Sequence, residues 1–495
     1  MYYVNRGASA FILLLVLCSA LVLLAEIGIT YAGGTIYIRA DGSIEGTNTI
    51  QRDGNVYTFT GDISDFLVVE RDNIVVDGAG HVLEGAGTEN GIFLDGRSNV
   101  TIKNITVRKF NCGIYLNSSS GNTISVNNIT NNFYGILLDS FSSSNNISAN
   151  NITANYGSSI YLSRSPGNTL YANNITNNGY GVFLIGSSNY NSLSGNNITA
   201  NNFHGIYLDY FSNYNSIRGN NITNNGVDGI YIEYSDENSV SGNYIADNHY
   251  SGIELEGSSS NSVSENNIIN NYYGIRLDYY PNNLIHHNNF VGNAEQVFSI
   301  DSVSVWDDGY PSGGNYWSDY SGVDLNSGPY QNETGSDGIG DTNYTISTDN
   351  NDRYPLMGPI STFDCGAWNN KPYYADIVSN STISAFNFHA AQKLISFNVN
   401  GSSGTIGFCK ITIDNSLLGG PYIVLVDETP VTPSVTSNGT HSFLYFTYAH
   451  STHNVSIMGS TVIPESWIIL PLLMIGTLFA VVAKKKSNCQ VPRKS

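Results

Sequence analysis

The chain has 495 residues, only 12 % of them charged, and a formal charge of −20. It offers no basic footprint, which excludes nucleic acid and anionic membrane surfaces as partners, while a cationic partner or divalent ions remain compatible. Its length exceeds one compact domain, and abundant Asn, Ser, Gly and Tyr (34 of the last) describe a turn-rich β protein.

Residues 1–32 read as a secretory signal peptide: Arg6, an uncharged run from Phe11 to Leu24, then Thr30-Tyr31-Ala32 as cleavage site. An uncleaved anchor is the alternative. Residues 33–300 are predicted to form a parallel β-helix with an N-terminal cap. One phrase recurs there nine times, from Gly91-Ile92-Phe93-Leu94 and Gly113-Ile114-Tyr115-Leu116 to Gly274-Ile275-Arg276-Leu277, at spacings of 22, 22, 24, 22, 24, 24, 23 and 22 residues. Such a period marks a solenoid whose repeats bury apolar side chains only against their neighbours. Each repeat adds a lone apolar residue (Ile124, Ile147, Leu170, through Leu284) and an Asn-Asn-Ile-Thr line (Ile129, Ile152, through Phe290). Three short apolar lines divided by Asn, Gly and Ser predict three strands per coil, hence a right-handed three-sheet parallel β-helix rising roughly 4.8 Å per coil. The paired Asn residues, recurring at one corner, are expected to bond between coils.

Residues 301–360, with Trp306 and Trp317, are expected to lie across the open C-terminal end as a lid. Residues 361–462 lose the repeat, alternate in the β manner, and suggest a small β-sandwich-like, membrane-proximal domain. Its Cys365 and Cys409 either pair or stay as buried thiols. Residues 464–483 are predicted to be a transmembrane helix: Trp467 to Ala483 lacks charge, and Lys484-Lys485-Lys486 opens the cytoplasmic tail 484–495. That places residues 33–463 outside, at the cell surface, where sequons at Asn99, Asn332, Asn380, Asn438 and Asn454 are candidate glycosylation sites.

In each Gly-Ile-x-Leu line the Ile and Leu face inward, so two outward columns form. The first runs Phe93, Tyr115, Leu137, Tyr161, Phe183, Tyr207, Tyr231, Glu254, Arg276, and the second Asp95, Asn117, Asp139, Ser163, Ile185, Asp209, Glu233, Glu256, Asp278. An aromatic strip of Tyr115, Tyr161, Phe183, Tyr207 and Tyr231 suits sugar rings, yet stacked aromatics also stabilise parallel sheets with no ligand. Glu233, Glu254, Glu256 and Asp278 are candidate catalytic residues, since carboxylates on adjacent coils can form an acid/base pair for glycoside hydrolysis. The same group could hold Ca²⁺, the one cofactor these oxygens suggest, or be a solvated acidic edge. Asp337 and Asp341 resemble an Asp-rich calcium loop, interrupted by an insertion. His286 and His287, adjacent on a strand, are expected on opposite faces, and His204 and His249 lie two coils apart.

The repeated Asn-Asn-Ile-Thr and Gly-Ile-x-Leu lines, the closing Gly313-Gly314-Asn315-Tyr316-Trp317-Ser318-Asp319-Tyr320, and Asp337-Gly338-Ile339-Gly340-Asp341 through Tyr354-Pro355-Leu356 resemble the NosD-type, pectin-lyase-like β-helix proteins. That resemblance covers residues 35–360 and implies a carbohydrate-binding or sugar-hydrolase domain, or a periplasmic copper-associated protein. Ser416-Leu417-Leu418-Gly419-Gly420-Pro421-Tyr422 and Ser437-Asn438-Gly439-Thr440-His441 resemble a domain of archaeal surface proteins that end in a membrane anchor. Pro464-Glu465 is similar to a Pro-Glu-Phe sorting signal, with Ser466 in place of the Phe. The expected role is binding or presenting polysaccharide or a cell-envelope glycan, or a rigid surface scaffold. A polysaccharide lyase or glycoside hydrolase, and an accessory factor in copper-enzyme maturation, are the alternatives.

Overall fold

The computed structural model describes residues 34–280 and 282–462. Three sheets of 13, 12 and 11 strands stack along one axis, each coil contributing one strand to each sheet. The first sheet holds the Gly-Ile-x-Leu strands, among them Cys112–Asn117, Tyr134–Asp139 and Ser158–Ser163. They pair parallel and in strict register, Ile114 with Ile136 and Ile136 with Ile160. The inward Ile and Leu of every coil are fully buried in one continuous core. One core position differs from the expectation: on the strand Leu284–His286 the inward residue is Ile285, in register with Val263, while Leu284 is half-buried beside Ser262.

Eight of the nine lines open on glycine, the fourth on Ser159, at a point where successive coils come close. A Cβ on Gly205 would lie 2.6 Å from the carbonyl oxygen of Gly229 and 2.8 Å from Ile222 Cγ2. The same carbonyl approach recurs at Gly113, Gly181, Gly229 and Gly252. Backbones of successive coils meet closely there, and at the one line headed by Ser159 the buried hydroxyl donates to the Gly181 carbonyl.

The asparagines form a buried ladder at each of three corners rather than at one. Asn127 Nδ2 donates to Asn150 Oδ1 at 3.0 Å and to the Ile102 carbonyl at 3.0 Å. Asn122–Asn145–Asn168 and Asn132–Asn155–Asn178 repeat the arrangement at the other two corners. The sequon asparagine stands one residue further out: Asn151 donates to Asn128 and Asn174 to Asn151 in a separate, outer ladder.

The lid closes the C-terminal end. Tyr316–Trp317 pairs with Asn289 and Phe290 as a last third-sheet strand. Trp317 stacks between Phe290 (4.2 Å) and Tyr344 (4.3 Å), and its Nε1 donates to the buried Asp352. From Ile360 two five-stranded antiparallel sheets face each other around Ile377, Phe397, Ile411, Leu444 and Val455. Cys365 and Cys409 do not pair. Among the described residues both are free, on strands separated by Lys371–Ser379, and Cys409 Sγ lies 3.5 Å from the Tyr448 hydroxyl. Among the described residues no helix is long and apolar enough to cross a membrane. The signal peptide and the apolar segment 464–483 lie outside the described residues.

Candidate functional site

Both outward columns form as the alternation requires, with Glu233 beside Glu256 and Glu256 beside Asp278 in register. The aromatic strip forms too. Tyr115 lies 5.2 Å from Phe93, and Tyr161 lies 5.4 Å from Tyr134 and 5.2 Å from Phe183. Phe183, Tyr207 and Tyr231 stack face to face at 4.4 and 4.9 Å with interplanar angles of 13° and 11°. Their faces are therefore spent on one another, and the strip turns ring edges and hydroxyls outward. Those hydroxyls bond to the second column, Tyr207 to Glu233 and Tyr231 to Glu256 at 2.6 Å. Burial and the carboxylates raise both tyrosine pKa values, and burial holds Glu233 above the usual carboxylate range.

The four candidate carboxylates are not alike. Glu254 and Asp278 are each only 4 % exposed and share Arg276, with Arg276 Nη1 2.8 Å from Glu254. Burial, reinforced by Asp228, pushes Glu254 up to about 8 despite that guanidinium. Arg276 thus supplies the positive charge between Glu254 and Asp278. The edge is not a row of solvated acids. Beside it His204 Nδ1 lies 2.9 Å from the buried Asp228, and the ring sits 5.0 Å from Tyr231. This pair was not read from the sequence.

A cleft of about 490 Å³ opens where the chain leaves this sheet. Its lining is Tyr234, Glu256, Gly257, Tyr279, Tyr280 and Asp301. The corner residues Tyr234, Tyr279 and Tyr280 adopt positive φ (44°, 56° and 67°), which carries these rings out of the sheet plane, and all three are exposed. In the coil between them stands Gly257, where a Cβ would meet the Tyr234 ring at 2.6 Å. The Tyr234 ring lies over Gly257, in the space a side chain there would fill, and Glu256, fixed by Tyr231, borders the cleft. Strand alternation drew attention to the columns; the signal for the cleft was the Tyr, Gly, Tyr succession one residue further along successive coils.

Asp337 and Asp341 are acceptors for local N–H groups. Asp341 takes Leu325 N–H, Asn326 N–H and Asn326 Nδ2, while Asp337 takes Ile339 N–H and Gln331 Nε2. The insertion between them and Asp324 forms the hairpin Asn326–Ser327 with Glu333–Thr334. The histidines depart from expectation. His287 has φ +56°, so the strand ends at His286 and the two rings meet, centroids 4.6 Å apart, instead of facing opposite sides. Asp308 joins them, and donor atoms of the three lie within 4.8 Å of one another. Among the described residues this is the one His/Cys/Asp/Glu group of three with such closeness. Burial pushes His287 down to about 3 and lowers His286.

Of the sequons, Asn99, Asn332, Asn380, Asn438 and Asn454 are all exposed. Asn380 Nδ2 donates to the Ile406 carbonyl and Asn454 Nδ2 to Asn398.

A family model described as periplasmic copper-binding protein (NosD) matches residues 28–204 and 185–322, more than half of the chain. A search of curated proteins finds no match. Among solved structures, the A-module of the Azotobacter vinelandii mannuronan C-5 epimerase AlgE6 is 16 % identical over 55 % of this chain and 91 % of its own, at a TM-score of 0.39. The periplasmic alginate epimerase AlgG is 14 % identical over 54 % of this chain and 81 % of its own, at 0.38. The catalytic domain of a GH87 α-1,3-glucanase, solved with nigerose, is 17 % identical over 53 % and 63 %, at 0.31.

Proposed function

This chain belongs to the NosD family, described as periplasmic copper-binding proteins, and we propose that it is an extracytoplasmic carbohydrate-binding protein whose binding site is the Tyr234–Tyr280 cleft. One observation carries this reading: a cleft of about 490 Å³ with three exposed tyrosines on its walls, a glycine between them and carboxylates at its border. Ligand sites are typically concave, aromatic-lined, a few hundred Å³ in volume, and furnished with few polar groups. A pyranose offers C–H faces to tyrosine rings and hydroxyl donors to carboxylates such as Glu256 and Asp301. Two acidic groups on a chain of charge −20 favour neutral or amino sugars and repel polyuronates. The aromatic strip proposed from sequence, Phe183 to Tyr231, serves in this reading as a scaffold that positions the acids. Anchoring by residues 464–483, with residues 33–463 outside, belongs to the same proposal and rests on the apolar run and its lysines.

The test is retention of detergent-solubilised full-length protein on immobilised neutral glucans, galactomannan, chitosan and a polyuronate, with new reducing or unsaturated ends measured in parallel. Retention on neutral or amino polymers, lost in the Tyr234→Ala, Tyr280→Ala double variant, supports the proposal. Retention that ignores those substitutions, or is confined to the polyuronate, overturns it. New chain ends abolished by Glu233→Gln or Glu256→Gln would replace it with the hydrolase or lyase reading. No retention at all would leave a surface scaffold.

A further inference from the structure

We propose that His286, His287 and Asp308 bind one divalent transition-metal ion, and that this ion fastens the lid to the last coil of the β-helix. The inference lies beyond the carbohydrate reading and uses none of its residues.

The three residues come from two segments that the fold brings together. His286 ends the strand Leu284–His286, and His287 turns the corner in left-handed backbone. Asp308 belongs to the lid loop, which folds back on itself through Asp308 N–H to the Gly313 carbonyl. The next glycine, Gly314, receives the His287 N–H on its carbonyl, so lid and coil are already in register. The neighbouring Asp307 is committed to Arg353 at 2.7 Å, which among the described residues leaves Asp308 as the carboxylate of this pair without a salt bridge.

Two observations point to a ligand. His286 Nδ1 is buried and has no hydrogen-bond partner among the described residues. An orphaned buried nitrogen is costly unless something coordinates it. The donor atoms lie within 4.8 Å of one another, against a spacing of about 3–4 Å around an ion bonded at about 2.1 Å. The exposed Asp308 side chain can close that difference. Ser312 Oγ lies 3.3 Å from His287 Nε2, the outer contact that orients a ligating imidazole.

The donor set chooses the metal. Two imidazoles with one carboxylate suit Cu²⁺ and Zn²⁺, with Cu²⁺ the stronger by the usual order, and do not suit Ca²⁺ or Mg²⁺, which take oxygen ligands. Lys410, buried on the adjoining sandwich strand, is the cation that opposes binding.

The experiment uses chelator-treated full-length protein in detergent, titrated calorimetrically with Cu²⁺, Zn²⁺ and Ca²⁺. Thermal unfolding and the Cu²⁺ spin-resonance spectrum are recorded on the same samples. Expected are one equivalent of Cu²⁺ bound more tightly than Zn²⁺, no Ca²⁺ heat, nitrogen hyperfine structure, and a raised Tm. Asp308→Ala, on an exposed side chain that cannot unfold the core, should weaken Cu²⁺ binding tenfold or more and abolish the Tm rise. His286→Gln should do the same, and His81→Ala should change nothing. Absence of Cu²⁺ uptake, or uptake unchanged in both Asp308→Ala and His286→Gln, overturns the proposal.

Discussion

The Tyr231 hydroxyl donates to Glu256 Oε2 at 2.6 Å across one coil step, which ties the aromatic stack to the carboxylate beside the cleft. Tyr231 is itself stacked on Tyr207, so the acid is held by a rigid donor. Tyr231→Phe keeps the stack and removes only this bond. A hydrogen bond to a charged group is worth about 1.5–3 kcal/mol, less where water can replace it. The expected outcome is a small loss in Tm and roughly tenfold weaker binding of a neutral oligosaccharide, about 1.4 kcal/mol. Calorimetry on wild type and variant checks it, and equal affinities would remove Glu256 from the site.

The inner asparagine ladder carries more stability than the outer one. Asn196 accepts from Asn173, and its amide donates to the Leu170 carbonyl at 2.9 Å and to Asn220 at 2.9 Å, all inside the protein. Asn196→Ala leaves several of these groups buried without partners, at about 1–3 kcal/mol each. Denaturant unfolding should show a loss of about 3 kcal/mol or more. Asn197→Ala, one residue outward, should cost about 0.5 kcal/mol or less.

The β-helix was legible because two periods coincide in its sequence. The coil period of 22 to 24 residues set the stacking, and alternation within Gly-Ile-x-Leu set which side chains face inward. The acidic cluster was legible as a column but not as a set of states. The columns placed Arg276 among these acids, but not that it would pair with both Glu254 and Asp278 while each is almost fully buried. The cleft and the histidine cluster escaped for a different reason. Both sit at corners, where Tyr234, Tyr280 and His287 adopt positive φ and strand alternation no longer predicts direction.

Glycine at the head of a coil is predicted to be costly to replace for steric reasons, Ser159 being the one head position of the nine that carries a side chain. Replacing glycine by alanine usually helps where the backbone permits it, by restricting the unfolded chain. At Gly205 the added Cβ would stand 2.6 Å from the Gly229 carbonyl oxygen, so successive coils must move apart. Gly205→Ala should cost about 1–3 kcal/mol, the usual range for overpacking. Gly219, with φ +62° and open space around it, isolates the other cause. Gly219→Ala suffers only backbone strain, about 1 kcal/mol. Chemical denaturation of the two variants separates crowding from strain, and equal losses would refute the crowding account.

Lys410 gives the seam between lid and sandwich its pH dependence. It is 3 % exposed, close to Asp337 beside Tyr310 and Tyr445, and burial pushes it down to about 8 from 10.5. A lysine lowered on folding favours the neutral form in the native state, so folding releases a proton between those values. Its contribution is neutral above 10.5, becomes unfavourable as pH falls from 10.5 to 8, and is constant below 8. The full span corresponds to about 3 kcal/mol. Tyrosines titrate in the same window, so the difference between wild type and Lys410→Met isolates the lysine. The stability of Lys410→Met relative to wild type should rise by about 2–3 kcal/mol between pH 10.5 and pH 8 and then level off. Urea unfolding at half-unit pH steps measures this, and a difference that stays flat across the window would mean that Lys410 keeps its proton in the folded seam.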